Sequence, residues 1–150
     1  MELDSITTSS RDEGGSARWM SPGLFEPERF GVDDSRRTKS SDCYALGMVV
    51  YEVLTGQVPF SRYNKYAAVA KVLRGERPER PQGPEGRWFT DDVWGILGRC
   101  WEPKPGDRPS IGDALQRLEE ASLSWTPLPP PAEEGPRQSG SPSWSELSFE

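Results

Sequence analysis

The sequence predicts a mainly α-helical domain, and three features of its patterning indicate this fold class. The 12-residue apolar run 43–54 carries one charge, Glu52, and is long enough for several helical turns. Three downstream segments repeat apolar residues at or near i, i+3, i+4 and i+7, as amphipathic helices do. No segment alternates apolar and polar residues like a half-buried strand. We therefore expect a central buried helix covered by three amphipathic helices.

The first ordered elements are expected before the central helix. Residues 18–30 carry aromatic and aliphatic side chains between prolines, which favours a packed loop with a short helical turn after Pro22. Ser40 or Ser41 is expected to cap the central helix, with Asp42 in its first turn near the positive end of the helix dipole. Gly56 should end this helix after Thr55. Its apolar residues lie on all sides, which is typical of a helix at the centre of a domain.

The three amphipathic helices each have a predicted apolar stripe. Thr90 and Ser110 are the expected caps of the second and third helices, and Asp113 stands where a capping box has its acidic partner. Gly75 should end the first helix. In chain order the stripes are Tyr66, Val69, Ala70 and Leu73; Val93, Ile96, Leu97, Cys100 and Trp101; and Ile111, Leu115 and Leu118.

The two ends of the chain have a different composition from its middle. Residues 1–16 are rich in Ser, Thr, Gly and charge, so we expect a mobile loop there. Residues 122–150 are dominated by Pro, Ser, Gly and Glu, with Trp125 among a few isolated aromatics, and are expected to be disordered. The predicted domain therefore covers residues 17–121.

Charge and residue usage exclude several classes of function. The chain has 24 acidic and 18 basic side chains, a net charge of −6, so neither nucleic acid nor a membrane surface is an expected partner. The absence of histidine excludes His-based nucleophile pairs and His-containing zinc sites. Cys43 and Cys100 stand singly in apolar segments and are expected to be small buried hydrophobes. With no apolar leader after Met1, we expect a cytoplasmic protein, whose oligomeric state the sequence leaves open.

Five short motifs follow one another along the chain. Residues 15–23 read Gly-Ser-Ala-Arg-Trp-Met-Ser-Pro-Gly, Asp42 and Gly47 are five apart, and residues 55–60 read Thr-Gly-Gln-Val-Pro-Phe. Cys-Trp at 100–101 and Arg-Pro-Ser at 108–110 complete the series. In this order the motifs resemble the C-terminal lobe of a eukaryotic protein kinase domain of the tyrosine-kinase-like group, from the end of the activation segment to the last helix.

The resemblance implies roles for particular residues. Those that match the family's substrate-peptide platform are Ser16, Arg18, Trp19 and Met20, although packing alone would also retain Trp19 and Met20. Those that match its structural positions are Pro22, Asp42, Gly47, Trp101 and Arg108. The family's aspartate at the Asp42 position holds the catalytic loop. Because that loop is not in this sequence, we expect Asp42 to act only as a partner of the helix dipole.

Arg108 matches an arginine that in the family pairs with the glutamate of Ala-Pro-Glu, but Gly23 stands at the glutamate position. Removing one partner of a buried ion pair costs about 3–5 kcal/mol. We therefore predict that Arg108 either reaches Glu26 or Glu28 or turns toward solvent.

Hydroxyl residues near the N-terminus lie where the family's activation segment is often phosphorylated. These candidate phosphorylation sites are Thr7, Thr8, Ser9, Ser10 and Ser16. A solvated Ser/Thr loop without any modification is an equally good interpretation.

The chemistry implied by the resemblance is phosphoryl transfer from ATP to protein Ser, Thr or Tyr by a complete domain, with magnesium. That reaction needs a glycine loop, a strand lysine, a catalytic-loop aspartate and Asp-Phe-Gly. None of these occurs in the sequence, so we expect no catalytic, cofactor-binding or metal-binding residues and no activity from this chain alone. The alternative is a non-catalytic helical module that binds a kinase or its substrate. In both cases the partner is a protein.

Overall fold

The computed structural model describes residues 16–125, which form helices and connecting loops without β-strands. The α-helices of this part are α1 (Lys39–Thr55), α2 (Lys65–Leu73), α3 (Asp91–Cys100) and α4 (Ile111–Ser122). Short 3-10 turns occupy Ser16–Trp19, Pro22–Leu24, Glu28–Phe30, Pro84–Trp88 and Pro105–Asp107. The prediction of a mainly α domain with a central helix and three further helices is confirmed.

Helix α1 is the element on which the others pack. It contacts α3, α4 and the turn Ser16–Trp19, and α3 also packs on α4. The fully buried side chains at its centre belong to Tyr44 and Met48, which meet Val93 and Leu97 of α3 in one apolar cluster. Burial of these side chains supplies the main favourable free energy of this fold.

The N-terminus of α1 differs from the prediction. Thr38, not Ser40 or Ser41, is the cap: its hydroxyl accepts a hydrogen bond from the Ser41 amide at 3.1 Å. The Ser41 hydroxyl accepts one from the Thr38 amide at 2.8 Å, which completes a capping box. The apolar run 43–54 does not indicate where α1 begins, because the first turn of the helix is polar and precedes that run. The end at Thr55 is confirmed, with Gly56 at φ +69°.

Helix α1 is not covered on all sides within residues 16–125, which corrects the expectation of a fully buried rod. Val49 is 44% exposed and Val53, one turn later, is 73% exposed. The opposite face is closed by α3 and α4. Apolar residues on all sides of a helix therefore indicate that any of its faces can be buried. The helices that pack on it decide which face becomes buried.

The stripes of the other helices were predicted with mixed success. In α3 the Thr90 cap is confirmed, and Val93, Leu97, Cys100 and Trp101 are buried as predicted.

In α2 the buried residues are Ala68 and Val72, whereas Tyr66 of the predicted stripe is 79% exposed. In α4 the Ser110 cap is confirmed, but Ala114 is the buried residue and Leu115 is 49% exposed. The alanines Ala68 and Ala114 are buried where α2 and α4 pack on the rest of the domain. The predicted stripes did not include these two small residues.

Two further features bear on the sequence predictions. Cys43 and Cys100 are buried free thiols, as expected, and burial beside Cys43 raises the pKa of Cys100 to about 12. Trp125 packs edge to face on Trp88, with ring centroids 5.4 Å apart, so this aromatic lies against the domain rather than in an isolated tail. None of the helices described here has the length and apolar character required to cross a lipid bilayer.

Gly47 allows the closest approach between α1 and the end of α3. A Cβ atom at this position would lie 2.6 Å from Nε1 of Trp101 and 3.1 Å from Cβ of Cys100. Trp101 is buried and also packs edge to face on Trp94, with centroids 5.6 Å apart. The absence of a side chain at Gly47 therefore fixes the distance between the two helices.

We predict that Gly47→Ala lowers the free energy of unfolding by about 1–3 kcal/mol, because overpacking a tight contact costs more than alanine gains in a helix. Gly95→Ala is the matched control. Gly95 is exposed on α3 with no atom within 4 Å of an added Cβ, so this change should stabilise by about 0.5–1 kcal/mol. Urea denaturation followed by circular dichroism measures both. Equal effects of the two changes would show that the Gly47 contact is not constraining.

Candidate functional site

The predicted platform is anchored by the side chain of Arg18. Its guanidinium donates hydrogen bonds to the carbonyl oxygens of Pro59 at 3.0 Å, Phe60 at 2.8 Å and Tyr63 at 2.6 Å. These carbonyls belong to the loop between α1 and α2. Phe60 has a φ of +55°, which is rare for a residue with a side chain, and the bonds from Arg18 hold the chain in this conformation.

Trp19 connects the same segment to α1. Its indole Nε1 donates a hydrogen bond to the carboxylate of Glu52 at 2.8 Å. Glu52 is the one charged residue of the apolar run, and this bond explains its presence there. Trp19 and Met20 are half-buried, whereas Ser16 is exposed. The guanidinium of Arg18 thus fixes the segment on the loop after α1, and the indole of Trp19 fixes it on α1, whereas Ser16 is exposed.

Arg108 contradicts the prediction made for it. The residue is only 8% exposed, and it reaches neither solvent nor a glutamate carboxylate. Instead its guanidinium donates to the carbonyl oxygens of Glu102 at 2.7 Å, Ser40 at 3.0 Å and Pro103 at 3.0 Å. The prediction named Glu26, Glu28 or solvent as the destination of this side chain. Backbone carbonyls can bind a planar guanidinium, and here two of them come from the loop after α3 and one from the first turn of α1.

Gly23 stands at the position where the resemblance implies a glutamate partner for Arg108. The space beside it is occupied by Val32. A Cβ atom on Gly23 would lie 2.8 Å from Cγ2 of Val32. Gly23 and Pro22 are both buried, at the start of the turn Pro22–Leu24. The segment thus packs an apolar side chain against Gly23, so that a glutamate could not be added here without moving Val32.

Two arginines pack on the ring of Tyr44, a feature that sequence reasoning missed. The guanidinium carbons of Arg77 and Arg108 lie 5.3 Å and 5.2 Å from the centre of its ring. Burial raises the pKa of Tyr44 to about 12, an effect that the two cations partly oppose. Burial lowers the pKa of Arg108. Nothing in the spacing of Tyr44, Arg77 and Arg108 along the chain indicates that they meet.

The remaining family positions lie at separate places on the same scaffold. Asp42 is exposed in the first turn of α1, where it faces the helix dipole. Gly47 and Trp101 are in direct contact, as described above. The candidate phosphorylation sites Thr7, Thr8, Ser9 and Ser10 lie outside the described residues. Ser16 is the first described residue and is exposed.

The residues present do not fit magnesium-ATP. Within residues 16–125, no three Asp, Glu, Cys or His side chains converge as a metal site requires. Asp34 instead binds Arg36 at 2.7 Å, and Asp91 binds Arg80 at 2.8 Å. Their neighbours Asp33 and Asp92 are exposed surface charges. We therefore assign no phosphate or magnesium contact to this part of the chain.

Comparison of the sequence with known proteins shows which proteins this chain is similar to. The family model for protein tyrosine and serine/threonine kinases matches residues 1–118. The serine/threonine-protein kinase VIK of Arabidopsis thaliana is 34% identical over 108 residues, which are 72% of this chain and 22% of that protein. Human mitogen-activated protein kinase kinase kinase 10 is 29% identical over 124 residues, 81% of this chain and 12% of that protein.

A third relative gives the same result. Human serine/threonine-protein kinase TNNI3K is 30% identical over 131 residues, which cover 87% of this chain and 14% of that protein. The chain therefore spans between about an eighth and a quarter of the length of these curated relatives.

We predict that Arg108→Lys lowers the free energy of unfolding by about 1.5–3 kcal/mol, because a single ammonium cannot span three carbonyl oxygens and leaves some of them unpaired. Arg99→Lys is the control: Arg99 is exposed on α3, and the same change there should have an effect below about 0.5 kcal/mol. Urea denaturation gives both values. Equal stability of the two variants would contradict the role assigned to the carbonyl bonds.

Proposed function

Because the chain belongs to the protein tyrosine and serine/threonine kinase family, we propose that residues 16–125 form the substrate-side helical part of a kinase domain. The observation that carries this proposal is the anchoring of the segment 18–20 by Arg18 and Trp19. The guanidinium of Arg18 holds three carbonyls beyond α1, and the indole of Trp19 holds Glu52 on α1. A rigid segment of this kind is suited to position an extended peptide.

The reaction of a complete domain would be ATP-dependent phosphorylation of a protein. VIK and TNNI3K are both named serine/threonine-protein kinases, which supports Ser or Thr as the acceptor. ATP and magnesium would be bound by the complete domain, because the phosphate-binding loop and the metal ligands of this reaction are not among the 150 residues. A cytoplasmic location is consistent with this proposal.

The chain by itself is therefore proposed to be inactive. Among the described residues, Glu26, Asp34, Glu76 and Asp91 form surface ion pairs, and Glu52 accepts a hydrogen bond from Trp19. The lysine beside Glu76, Lys71, is held by that carboxylate. The helices supply only the positioning part of the reaction, and electrostatic stabilisation of the transferred phosphoryl group is absent.

We predict that the purified 150-residue chain shows no saturable binding of magnesium-ATP in calorimetric titration up to millimolar concentration. It should also transfer no labelled phosphate to a peptide library that contains Ser, Thr and Tyr acceptors. An intact protein kinase in the same assays is the positive control. ATP binding with a stoichiometry near one, or phosphate transfer above that of the Arg108→Lys variant and of buffer, would contradict the proposed inactivity.

A second candidate function is a helical module that binds a kinase or its substrate. The observation in its favour is the exposed valine pair of α1, Val49 and Val53, which are one turn apart on the helix that carries the core. Apolar residues at spacing i and i+4 are the usual contact positions of a helix that packs on another protein. This candidate and the first differ in the size of the polypeptide that carries these residues in the cell.

Antibodies raised against residues 16–125 distinguish the two candidates on denaturing gels. A kinase domain predicts a species much heavier than 16.8 kDa. A separate module predicts the 16.8 kDa chain, eluting from a sizing column within a larger complex. In that case Val49→Ser with Val53→Ser should release it, whereas Val58→Ser, at another exposed valine, should not. A small chain that elutes as a monomer would exclude the module.

A further inference from the structure

One surface of this acidic chain is basic. Residues 53–75 contain four cations and no carboxylate, although the whole chain has a net charge of −6. These residues form the end of α1, the loop after it and α2, and α2 contacts the turn Ser16–Trp19. A local excess of one charge attracts ligands of the opposite charge, even where the net charge of the protein repels them. The four cations are Arg62, Lys65, Lys71 and Arg74.

Two of these cations are paired within the domain, and two are not. Lys71 binds the carboxylate of Glu76 at 2.5 Å, and Arg74 binds the same carboxylate at 3.1 Å. Arg62 and Lys65 form no ion pair with any carboxylate of residues 16–125. Arg62 is exposed, and Lys65 is half-buried. The positive charge of this surface is therefore concentrated on Arg62 and Lys65.

The other carboxylates near this surface do not compensate that charge. Glu52, just before the basic segment, accepts the hydrogen bond from Trp19 at 2.8 Å. Glu79 and Glu85 line a groove of about 390 Å³ that Arg62 also lines, but neither forms an ion pair with it. The guanidinium of Arg62 is thus left for a ligand.

Arg18 fixes this surface beside the segment 18–20. Its guanidinium donates a hydrogen bond to the carbonyl oxygen of Tyr63 at 2.6 Å, and Arg62 and Lys65 are one and two residues from Tyr63. Since neighbouring Cα atoms are about 3.8 Å apart, the Cα atoms of both cations lie within about 8 Å of that of Tyr63. An extended peptide advances about 3.3 Å per residue, so a ligand on segment 18–20 reaches both cations within a few residues.

Two tyrosines extend the same surface. Tyr66 is 79% exposed and Tyr63 is 42% exposed, so residues 16–125 leave much of both rings uncovered. The ammonium of Lys65 lies 5.4 Å from the centre of the Tyr66 ring. A tyrosine offers an apolar ring and a hydroxyl that donates to a carboxylate, and this residue type is enriched in protein interfaces. Together with the two cations, the rings favour an acidic peptide as the ligand.

We propose that the surface formed by Arg62, Tyr63, Lys65 and Tyr66 binds an acidic segment of the protein substrate. The inference rests on the proposed function, because the segment 18–20 is taken as the platform for the substrate peptide. Carboxylates a few residues from the acceptor would pair with Arg62 and Lys65. The complete domain would therefore prefer acceptors in an acidic context.

Binding of a labelled peptide to the 150-residue chain, without ATP, tests the inference. The probe is fluorescein-labelled Glu-Glu-Glu-Ala-Ser-Ala-Glu-Glu-Glu, and the analogue with Gln in place of every Glu is the neutral control. Fluorescence anisotropy should show about fivefold tighter binding or more of the acidic peptide, because exposed ion pairs are individually weak but act together. The difference should shrink between about 50 mM and about 500 mM salt, since salt screens exposed charges. Equal affinity of the two peptides would overturn the proposal.

Charge reversal locates the contact. Arg62→Glu with Lys65→Glu should remove the preference for the acidic peptide, and the milder Arg62→Gln with Lys65→Gln should reduce it. Arg99→Glu with Arg117→Glu is the control, because these exposed residues of α3 and α4 give the same change in net charge away from the surface. The control should retain most of the preference, and circular dichroism verifies the fold of each variant. An equal loss in the control would show an effect of net charge and overturn the assigned surface.

The outcomes separate this inference from the proposed function, because peptide binding is measured without phosphoryl transfer. No preference for the acidic peptide, with a heavy species on denaturing gels, would overturn only the acidic substrate. A 16.8 kDa species with the preference intact would overturn the kinase domain and leave the acidic partner. Binding to phosphatidylserine vesicles without binding to the peptide would assign the surface to a membrane and overturn the proposal.

Discussion

The packing of the guanidinium groups of Arg77 and Arg108 on the ring of Tyr44 is the constraint on which the rest of the domain depends. Arg108 donates to carbonyls of Ser40, Glu102 and Pro103. Arg77 donates to carbonyls of Val72, Glu76 and Trp101. Six backbone oxygens from the starts and ends of several helices are thus satisfied around one ring. Irregular loops can be buried against α1 because these groups have partners.

This arrangement explains how the domain tolerates Gly23 at the position where the kinase resemblance implies a glutamate. A buried cation without any partner would be costly, but Arg108 exchanges one carboxylate for three carbonyls and the face of an aromatic ring. Val32 occupies the space beside Gly23. The chain thus packs an apolar side chain beside Gly23 and holds Arg108 by backbone carbonyls instead of a carboxylate.

The site could be predicted only in part. The motifs singled out Arg18, Trp19, Gly47 and Trp101 as separate positions and predicted no contact between Gly47 and Trp101, which the structure places together. Sequence reasoning did not find the partners of Arg18, which are backbone carbonyls and carry no residue signature. Glu52 was visible as a lone charge in an apolar run, and this signal could have indicated a buried polar contact. Arg77 gave no comparable signal.

The sequence by itself determined the fold class, the C-terminal end of the central helix at Gly56, and the caps Thr90 and Ser110, because these follow from local propensity and periodicity. The tertiary structure decided which face of α1 is covered, since that face is chosen by the helices that pack on it and not by its own residues. It also decided that Ala68 and Ala114, rather than larger neighbours, lie in the core. Close helix packing selects small side chains at contact points, and such a choice depends on atoms far apart in the chain.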